Sequence, residues 1–211
     1  MDNQGALVVV SAFSGAGKGT LMKALLERYD NYALSISATT RGPRAGEADG
    51  REYFFKTREE FLQMIEADQL IEYAEYVNNF YGTPKDYVFS NLESGKDVLL
   101  EIEIQGALKI KEKFPDSLLI FVTPPSAEEL KRRLEGRGTE TPEVIARRLA
   151  RASEESEGIE AYDYIVVNDK LEDCVEELHR LVEASRRAPV RSQELINEIR
   201  EELKGFTKGA E

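Results

Sequence analysis

Five short runs of apolar residues recur along the chain, and each is rich in valine, isoleucine or leucine. They lie at residues 7–10, 32–37, 97–104, 117–122 and 163–168. Runs of this length without polar alternation are typical of strands that are buried on both faces of a parallel sheet. The pattern therefore predicts five buried parallel strands.

Helical patterns separate these runs. Apolar residues recur at three- and four-residue spacing in five segments, at residues 18–29, 106–113, 126–135, 142–157 and 171–187. Alternating strands and helices favour an α/β fold with a five-stranded parallel core sheet flanked by helices. A further helix is predicted over residues 192–204, near the C-terminal end of the sequence.

Four helix start signals support this reading, each with a hydroxyl residue as the cap. Two have the spacing of a capping box, and two precede a proline that suits the first helical turn. They are Thr57 with Glu60, Ser126 with Glu129, Thr83 with Pro84 and Thr141 with Pro142.

Two stretches interrupt the regular alternation. Residues 38–90 are rich in glycine, tyrosine and charge and hold short strand-like runs at 51–56 and 70–77, which predicts an inserted small subdomain. Residues 131–151 hold seven lysines and arginines against three glutamates, although the chain of 211 residues has a net charge of −12. A local positive surplus in so acidic a chain indicates a functional requirement.

Residues 7–20 carry the clearest chemistry. The first strand leads into a loop of small residues that ends at Gly17-Lys18 and opens a helix. Gly15 and Gly17 allow backbone N–H groups to surround a polyphosphate, the helix N-terminus adds partial positive charge, and Lys18 supplies a cation. A plain glycine-rich turn would also fit the loop taken alone. The placement and the lysine favour a P-loop NTPase fold that binds a nucleoside triphosphate.

Two positions depart from the usual P-loop pattern. Ala12 stands where the first glycine is usual, which is tolerable if its φ stays negative. Gly19 replaces the serine or threonine whose hydroxyl normally touches Mg²⁺, and Thr20 follows one residue later. We therefore expect a Mg²⁺ ion that keeps most of its waters.

Composition narrows the possible partners. The acidic net charge argues against a nonspecific nucleic-acid binder. Cys174 is the single cysteine, which excludes an internal disulfide and fits a reducing compartment. The chain has no apolar run of about 18 residues, and its N-terminus lacks the basic segment of a signal peptide. We expect a cytoplasmic protein with no nucleic-acid or membrane partner.

A second cluster of candidate phosphate ligands lies in the inserted stretch. Arg41 and Arg44 flank a Gly-Pro turn, and their forked donors suit bidentate phosphate recognition. Tyr53 and Tyr81 can add hydroxyl donors. A solvated charged loop is the alternative. Beside a P-loop, the cluster favours a kinase with one site for the donor and one for the acceptor.

These motifs together closely resemble the guanylate kinase family, whose members phosphorylate GMP with ATP. The match is ordered and covers about residues 5–187. Its pieces are Ser-Gly-Ala-Gly-Lys at 14–18, Ser-x-Thr-Thr-Arg-x-Pro-Arg-x-Gly-Glu at 37–47, Tyr53, Glu72, Tyr81-Gly-Thr at 81–83, Glu-Ile-Glu-Ile-Gln-Gly at 101–106, Arg-x3-Arg-Gly-Thr-Glu-Thr at 133–141, Arg148, and Val-Asn-Asp at 167–169.

The resemblance implies several parts that move relative to one another. They are a core (1–37, 91–126 and 158–190), a GMP-binding subdomain (38–90) and a lid (127–157), with a helical tail (191–211) outside the resemblance. Oligomeric state stays open between a monomer and a homo-oligomer, for which the tail helix is a candidate interface.

On the donor side, the resemblance implies an ATP site and a set of catalytic residues. The ATP site comprises Ser14, Gly15, Ala16, Gly17, Lys18, Gly19, Thr20, Arg137 and Asn168, the last beside adenine. The implied catalytic residues are Lys18, Arg41, Arg133, Arg137 and Arg148, of which the three from the lid close over the transferring group. Thr20 and Glu101 are the implied Mg²⁺ residues, through water.

On the acceptor side, the resemblance implies eight GMP-binding residues. Arg41, Arg44, Tyr53 and Tyr81 hold the phosphate, Ser37 and Thr83 place the nucleotide, and Glu72 and Glu103 read guanine. Guanine presents N1–H and N2–H₂ donors, so a carboxylate selects it over adenine. The family commonly has aspartate where this chain has Glu103, which leaves the guanine contact of this longer side chain open.

The implied function is direct in-line transfer of the γ-phosphoryl group from ATP to GMP, and to dGMP, in purine nucleotide metabolism. Two alternatives stay open. One is a non-catalytic binding module of the same fold, and the other is a kinase with a different acceptor. The lysine and arginines of both sites argue against the first, and Glu72 with the two tyrosines argues against the second.

Overall fold

The computed structural model describes residues 4–44, 46–76, 78–136, 138 and 141–207. Its strands, in chain order, are β1 (Leu7–Ala12), β2 (Tyr32–Leu34), β3 (Ala38–Thr39), β4 (Phe54–Phe55), β5 (Leu70–Tyr76), β6 (Asn79–Pro84), β7 (Asp97–Glu101), β8 (Leu118–Thr123) and β9 (Tyr164–Val167). Its helices are α1 (Lys18–Arg28), α2 (Arg58–Glu66), α3 (Lys85–Glu93), α4 (Ile104–Lys113), α5 (Ala127–Gly136), α6 (Pro142–Ser156), α7 (Leu171–Ser185) and α8 (Gln193–Thr207).

The core sheet has the order β2-β7-β1-β8-β9, and all of its pairings are parallel. Strand β1 lies at its centre, where Val9 is paired with Leu100 on one side and Leu119 on the other. Because successive side chains of a strand point to opposite faces, Val8 and Val10 belong to one buried cluster, and Val9 to another. The predicted five-stranded parallel sheet is confirmed.

Helices cover both faces of this sheet. Leu21 and Leu25 of α1 share one buried cluster with Leu178 of α7. On the opposite face, Val88 of α3 and Ile110 of α4 share the other. Apolar residues at every third or fourth position place one stripe of each helix against the sheet. Helices thus cover both faces of the sheet, so a ligand-binding site can form only at the ends of its strands.

A second, smaller sheet forms in the inserted stretch, with the order β4-β3-β6-β5. It has its own apolar cluster, in which the rings of Phe61 and Phe80 stack at a centroid distance of 5.3 Å. The sequence predicted runs at 51–56 and 70–77 here and missed β3 and β6. The predicted boundary at residue 90 falls inside α3, whose Val88 and Leu92 belong to the core cluster.

Helix α2 begins at the predicted capping box. The Glu60 N–H donates to Thr57 Oγ1 at 3.1 Å, and the Thr57 N–H donates to Glu60 Oε2 at 2.7 Å. At Ser126 only half of the predicted box forms. The Glu129 N–H donates to Ser126 Oγ, but the Glu129 carboxylate accepts from arginines on its own helix.

The predicted cap at Thr83 is wrong, because Pro84 precedes α3 as its N-cap residue. Thr141, in contrast, is the N-cap residue of α6 with Pro142 in the first turn, as predicted. Neither threonine side chain makes a capping hydrogen bond to the helix that follows. Thr83 lies within β6, and its hydroxyl donates to Glu72 Oε1 at 2.8 Å, because that buried carboxylate needs a donor. The apolar run predicted as one strand over 97–104 is divided in the structure between a strand and the start of a helix. Strand β7 ends at Glu101, and α4 begins at Ile104.

The segments predicted as a lid and a tail are both helical where the structure describes them. Helices α5 and α6 pack on each other around Leu130, Leu134 and Ala152. Helix α8 follows a 3₁₀ turn and exposes Leu195, Ile199 and Leu203. Among the described residues, no helix has the length and apolar character that a membrane span requires.

Candidate active site

The site is assembled where β1 and β7 end next to each other. The P-loop follows β1, and Glu101 is the last residue of β7, paired in register with Val10. In open α/β sheets, ligands bind beyond the carboxyl ends of the strands. The P-loop and Glu101 thus come to the same edge of the sheet.

The P-loop backbone depends on its glycines. Gly15 and Gly17 have φ values of +99° and +92°, in the left-handed region that side chains disfavour. A Cβ atom on Gly15 would lie 2.7 Å from Leu134 Cδ2, and one on Gly17 would lie 2.6 Å from Asn168 Nδ2. Ala12 is extended, as the last residue of β1, so its replacement of the usual glycine causes no strain.

Two side chains hold the loop from behind. Asn168 Nδ2 donates to the Ala16 carbonyl oxygen at 2.8 Å, and Arg133 Nη1 donates to the same oxygen at 3.2 Å. Arg133 Nη2 also donates to the Asn168 carbonyl oxygen at 2.8 Å. In a trans peptide the next N–H points the opposite way, so these bonds orient the Gly17 N–H away from both donors.

Both residues contact the P-loop backbone, and the roles that the resemblance implies for them stay predictions. Arg133 was expected over the transferring phosphoryl group, and Asn168 beside adenine. Glu129, one helical turn earlier, accepts from Arg133 Nε at 2.7 Å and keeps the guanidinium against the loop backbone. The amide of Asn168 is buried and already bonded to Ala16. In this structure both side chains donate to the carbonyl oxygen of Ala16 in the P-loop.

A cavity of about 680 Å³ opens above the loop. Every predicted P-loop ligand except Ala16 lines it, together with Arg147, Arg148, Arg151 and Glu155 of α6. Arg148 Nη1 donates to Ser14 Oγ at 2.9 Å, which joins α6 to the loop. Arg137 lies outside the described residues.

Two lid arginines escaped the sequence-based assignment of site residues. Arg147 and Arg151 both line the first cavity, although only the positive surplus of residues 131–151 signalled them. Helix α6 places Arg147, Arg148 and Arg151 on one side because residues three and four apart share a helix face.

Lys18 is the first residue of α1 and lines this cavity. Burial lowers its pKa below 10.5, while the nearby carboxylates of Glu101 and Glu155 act in the opposite direction. A partly desolvated cation at a helix N-terminus attracts an anion strongly, because little water competes for it.

A second cavity, of about 380 Å³, lies between the small sheet and the start of α4. Of the predicted acceptor ligands, it brings together Ser37, Tyr53, Glu72, Tyr81 and Glu103. Glu101 lines it as well, and so do Lys109 and Arg151, which the sequence did not single out as ligands. Arg41, Arg44 and Thr83 are not among its lining residues.

The two predicted phosphate arginines differ in their surroundings. The Arg41 guanidinium donates to Glu47 Oε1 at 2.9 Å and lies 5.2 Å from the centroid of the Tyr53 ring. The Tyr53 and Tyr81 rings are 6.0 Å apart, so Arg41 adjoins the wall of the second cavity. Arg44 is exposed, and its N–H donates to Glu47 Oε2.

Glu72 is the buried carboxylate of the second cavity. Its residue is only 8% exposed, and one of its oxygens accepts from the Thr83 hydroxyl. Burial raises the pKa of Glu72 above its usual value of 4.5. A buried acceptor that keeps one oxygen beside a cavity favours a ligand with N–H donors.

The donor set suits a hard cation that keeps its waters. Thr20 offers a hydroxyl and Glu101 a carboxylate, and Glu101 is near enough to Lys18 to affect its pKa. Oxygen donors of this kind fit Mg²⁺, which prefers few protein ligands. Within the described part of the chain, no three His, Cys, Asp or Glu residues form a group that could hold a metal.

A P-loop at the end of a central parallel strand, with a carboxylate-lined cavity beside it, defines a class of protein. It is that of the P-loop kinases, in which one cavity serves the donor triphosphate and the other the acceptor. Comparison with known proteins identifies the family within this class.

The family model described as guanylate kinase matches residues 4–185. A guanylate kinase of Caldanaerobacter subterraneus subsp. tengcongensis is 52% identical over 199 residues, which cover 94% of this chain and 97% of that protein. One of Lactococcus lactis is 53% identical over 184 residues, 87% of this chain and 90% of that protein. The crystal structure of guanylate kinase from Anaplasma phagocytophilum is 36% identical, covers 89% of both chains and has a TM-score of 0.71.

This chain therefore belongs to the guanylate kinase family. The resemblance inferred from its motifs is confirmed, and so is the P-loop fold.

Proposed function

We propose that the first cavity holds ATP and the second holds GMP, and that the γ-phosphoryl group passes directly between them. As a member of the guanylate kinase family, the chain is an enzyme that phosphorylates GMP with ATP to give GDP. The proposal concerns which residues perform each part of this reaction, and it extends the acceptors to dGMP.

The observation that carries the acceptor assignment is the pair of carboxylates in the second cavity. Glu72 is buried with one oxygen engaged by Thr83, and Glu103 lines the same space. Guanine offers three N–H donors at N1 and N2, whereas adenine has no N1–H and no amino group at C2. Adenine would leave a buried carboxylate without a partner, which is costly.

On the donor side, the loop and the lid supply charge without covalent chemistry. The N–H groups of the P-loop, Lys18 and the arginines of α6 surround the first cavity. Both reactants are anions, so catalysis consists of neutralising charge and aligning oxygens. The acceptor phosphate is already ionised, and no general base is required.

For the acceptor phosphate we assign Arg41, Tyr53 and Tyr81. The tyrosines line the second cavity, and Arg41 packs against them. Glu47 occupies part of the Arg41 guanidinium in this structure. The remaining donors of the guanidinium fork suit a phosphate. Arg44, which is exposed and adjacent, adds positive charge from the loop.

Mg²⁺ is the proposed cofactor, with ATP as co-substrate. Thr20 and Glu101 would hold it, mainly through water. When bound, the ion would offset the negative charge of the donor phosphates.

We place the reaction in the cytoplasm. Burial raises the pKa of Cys174 to about 12, so this single cysteine stays a thiol. An acidic chain without a disulfide suits a reducing compartment.

An acceptor comparison tests the proposed function. ADP release from ATP and Mg²⁺ would be measured with GMP, dGMP, AMP, CMP or UMP as acceptor. We expect strong turnover with GMP and dGMP and little with the other three. Turnover with another acceptor would reassign Glu72 and Glu103, and the absence of turnover with all five would favour a binding module.

The raised pKa of Glu72 predicts a pH dependence of guanine binding. The ionised carboxylate is the stronger acceptor for the N–H donors of guanine, so affinity is highest above the raised pKa and falls as the pH drops through it. Below that pKa, the Kd for guanosine should rise as the pH falls, by up to about tenfold per pH unit. Guanosine is used because the phosphate of GMP titrates itself. Glu72→Gln should reduce this dependence to the part that Glu103 contributes, and an identical pH profile in both proteins would refute the assignment.

A further inference from the structure

One arginine belongs to both cavities. Arg151 of the lid helix α6 lines the P-loop cavity and the acceptor cavity. Its Nη2 donates to Glu103 Oε2 at 2.8 Å, and its Nε donates to Glu155 Oε1 at 2.8 Å. Glu155 lies one turn later on the same helix and lines only the first of these two cavities. The guanidinium thus bridges a carboxylate of the lid to a carboxylate of the acceptor site.

Glu103 is free to serve two partners at once. It is the N-cap residue of α4, yet its side chain makes no capping bond and extends into the second cavity. Arg151 donates to Oε2, and the second carboxylate oxygen, Oε1, can accept from a donor in the cavity that Glu103 lines. Guanine and Arg151 can therefore bind the same carboxylate through different oxygens.

We infer that Arg151 and Glu103 form a latch that couples acceptor binding to donor binding. The inference rests on the proposed assignment of guanine to Glu103. Guanine on one oxygen of Glu103 strengthens the bond of Arg151 to the other. That bond holds α6 in place, with Arg147 and Arg148 lining the ATP cavity. Arg151 is in this sense a positioning residue.

The exposure of the Arg151–Glu103 ion pair explains why guanine binding can strengthen it. The side chains of Arg151 and Glu103 are 46% and 47% exposed. An ion pair this exposed adds little stability by itself, because two long side chains must be ordered to form it. Bound guanine already orders Glu103, so the bond to Arg151 then forms at a lower entropic cost. By linkage, ATP must strengthen GMP binding by the same factor.

The length of Glu103 is what allows the latch. An aspartate at this position keeps a carboxylate for guanine but is shorter by one carbon–carbon bond, about 1.5 Å. The 2.8 Å bond to Arg151 would then break without a movement of α6. Glu103→Asp therefore separates guanine recognition from the latch.

The test is the Kd of a non-hydrolysable ATP analogue, measured by calorimetry with and without saturating GMP. We expect GMP to tighten analogue binding about fivefold or more in the unmodified protein, at the lower end of typical couplings. Arg151→Ala and Glu103→Asp should each reduce the ratio of the analogue Kd without GMP to the Kd with GMP to about 1. The double variant should show no further loss, because either change alone removes the bond.

Arg180→Ala is the matched control. Arg180 pairs with Glu176 at the same four-residue spacing as Arg151 and Glu155, on the exposed side of α7. The Arg180→Ala variant should leave unchanged both the ratio of the analogue Kd values without and with GMP and the turnover. Glu103→Asp should also keep its preference for GMP over AMP, which a general loss of folding would not.

Two outcomes would overturn the latch. One is a ratio near 1 in the unmodified protein, and the other is an unchanged ratio in Arg151→Ala and Glu103→Asp. Either result leaves the proposed function standing if GMP-dependent turnover is present. Absence of that turnover in the unmodified protein would instead count against the proposed function.

Discussion

Replacing Lys18 by alanine is expected to lower kcat by about 10²–10³ while the fold stays intact. Lys18 begins α1 at the floor of the P-loop cavity, where its ammonium group faces the site proposed for the donor phosphates. A preorganised cation of this kind is worth most in the transition state, when charge shifts between donor and acceptor.

The same substitution should not reduce stability. Burial lowers the pKa of Lys18, so its charged form is disfavoured in the folded protein before a phosphate arrives. Removing that charge should leave Tm equal to or above that of the unmodified protein.

Steady-state turnover and thermal unfolding of Lys18→Ala would be compared with those of Lys23→Ala. Lys23 lies on the same helix and is exposed, so its loss should change neither quantity. Turnover within tenfold of normal in Lys18→Ala would contradict the assigned role.

Asp97→Ala is expected to lower the free energy of unfolding by about 3–5 kcal/mol. Asp97 is fully buried at the start of β7. Its carboxylate accepts from the Ala6 N–H at 2.7 Å, from Asn31 Nδ2 at 3.0 Å and from Arg186 Nε at 3.0 Å. The substitution leaves these donors, one of them charged, without their acceptor in a poorly hydrated place.

Urea denaturation at neutral pH measures this loss, provided that the m value is unchanged. Asp116→Ala is the control, since its carboxylate is 48% exposed and pairs with Arg191 at 3.4 Å. An exposed pair contributes about 1 kcal/mol or less. If Asp97→Ala lowers the free energy of unfolding by less than about 1 kcal/mol, water replaces the three hydrogen bonds of Asp97.

Much of the fold could be predicted from the sequence because the signals are local. The run around Val8–Val10 is apolar at every position, which suits a strand covered on both faces. The capping box at Thr57 forms as expected, because both of its partners lie within one turn. Strands β3 and β6 were missed, since β3 has only two residues and their pairing joins distant segments.

The residues of the candidate site also divide into those that the sequence indicated and those that only the structure revealed. The sequence by itself determined the P-loop and its backbone. Gly15 and Gly17 reach the left-handed region that only glycine adopts readily, and Ala12 needs no such freedom at the end of β1. The resemblance to guanylate kinases likewise implied Glu72 and Glu103, and the structure brings both to one cavity.

Only the tertiary structure decided what the longer side chains touch. Arg133 lies behind the P-loop, Thr83 bonds to Glu72, and Arg151 reaches Glu103 across 48 positions of sequence. A backbone conformation is limited by the sterics of neighbouring residues, so it can be inferred from a short segment. The partner of a flexible charged side chain depends instead on which distant groups the fold places within its reach.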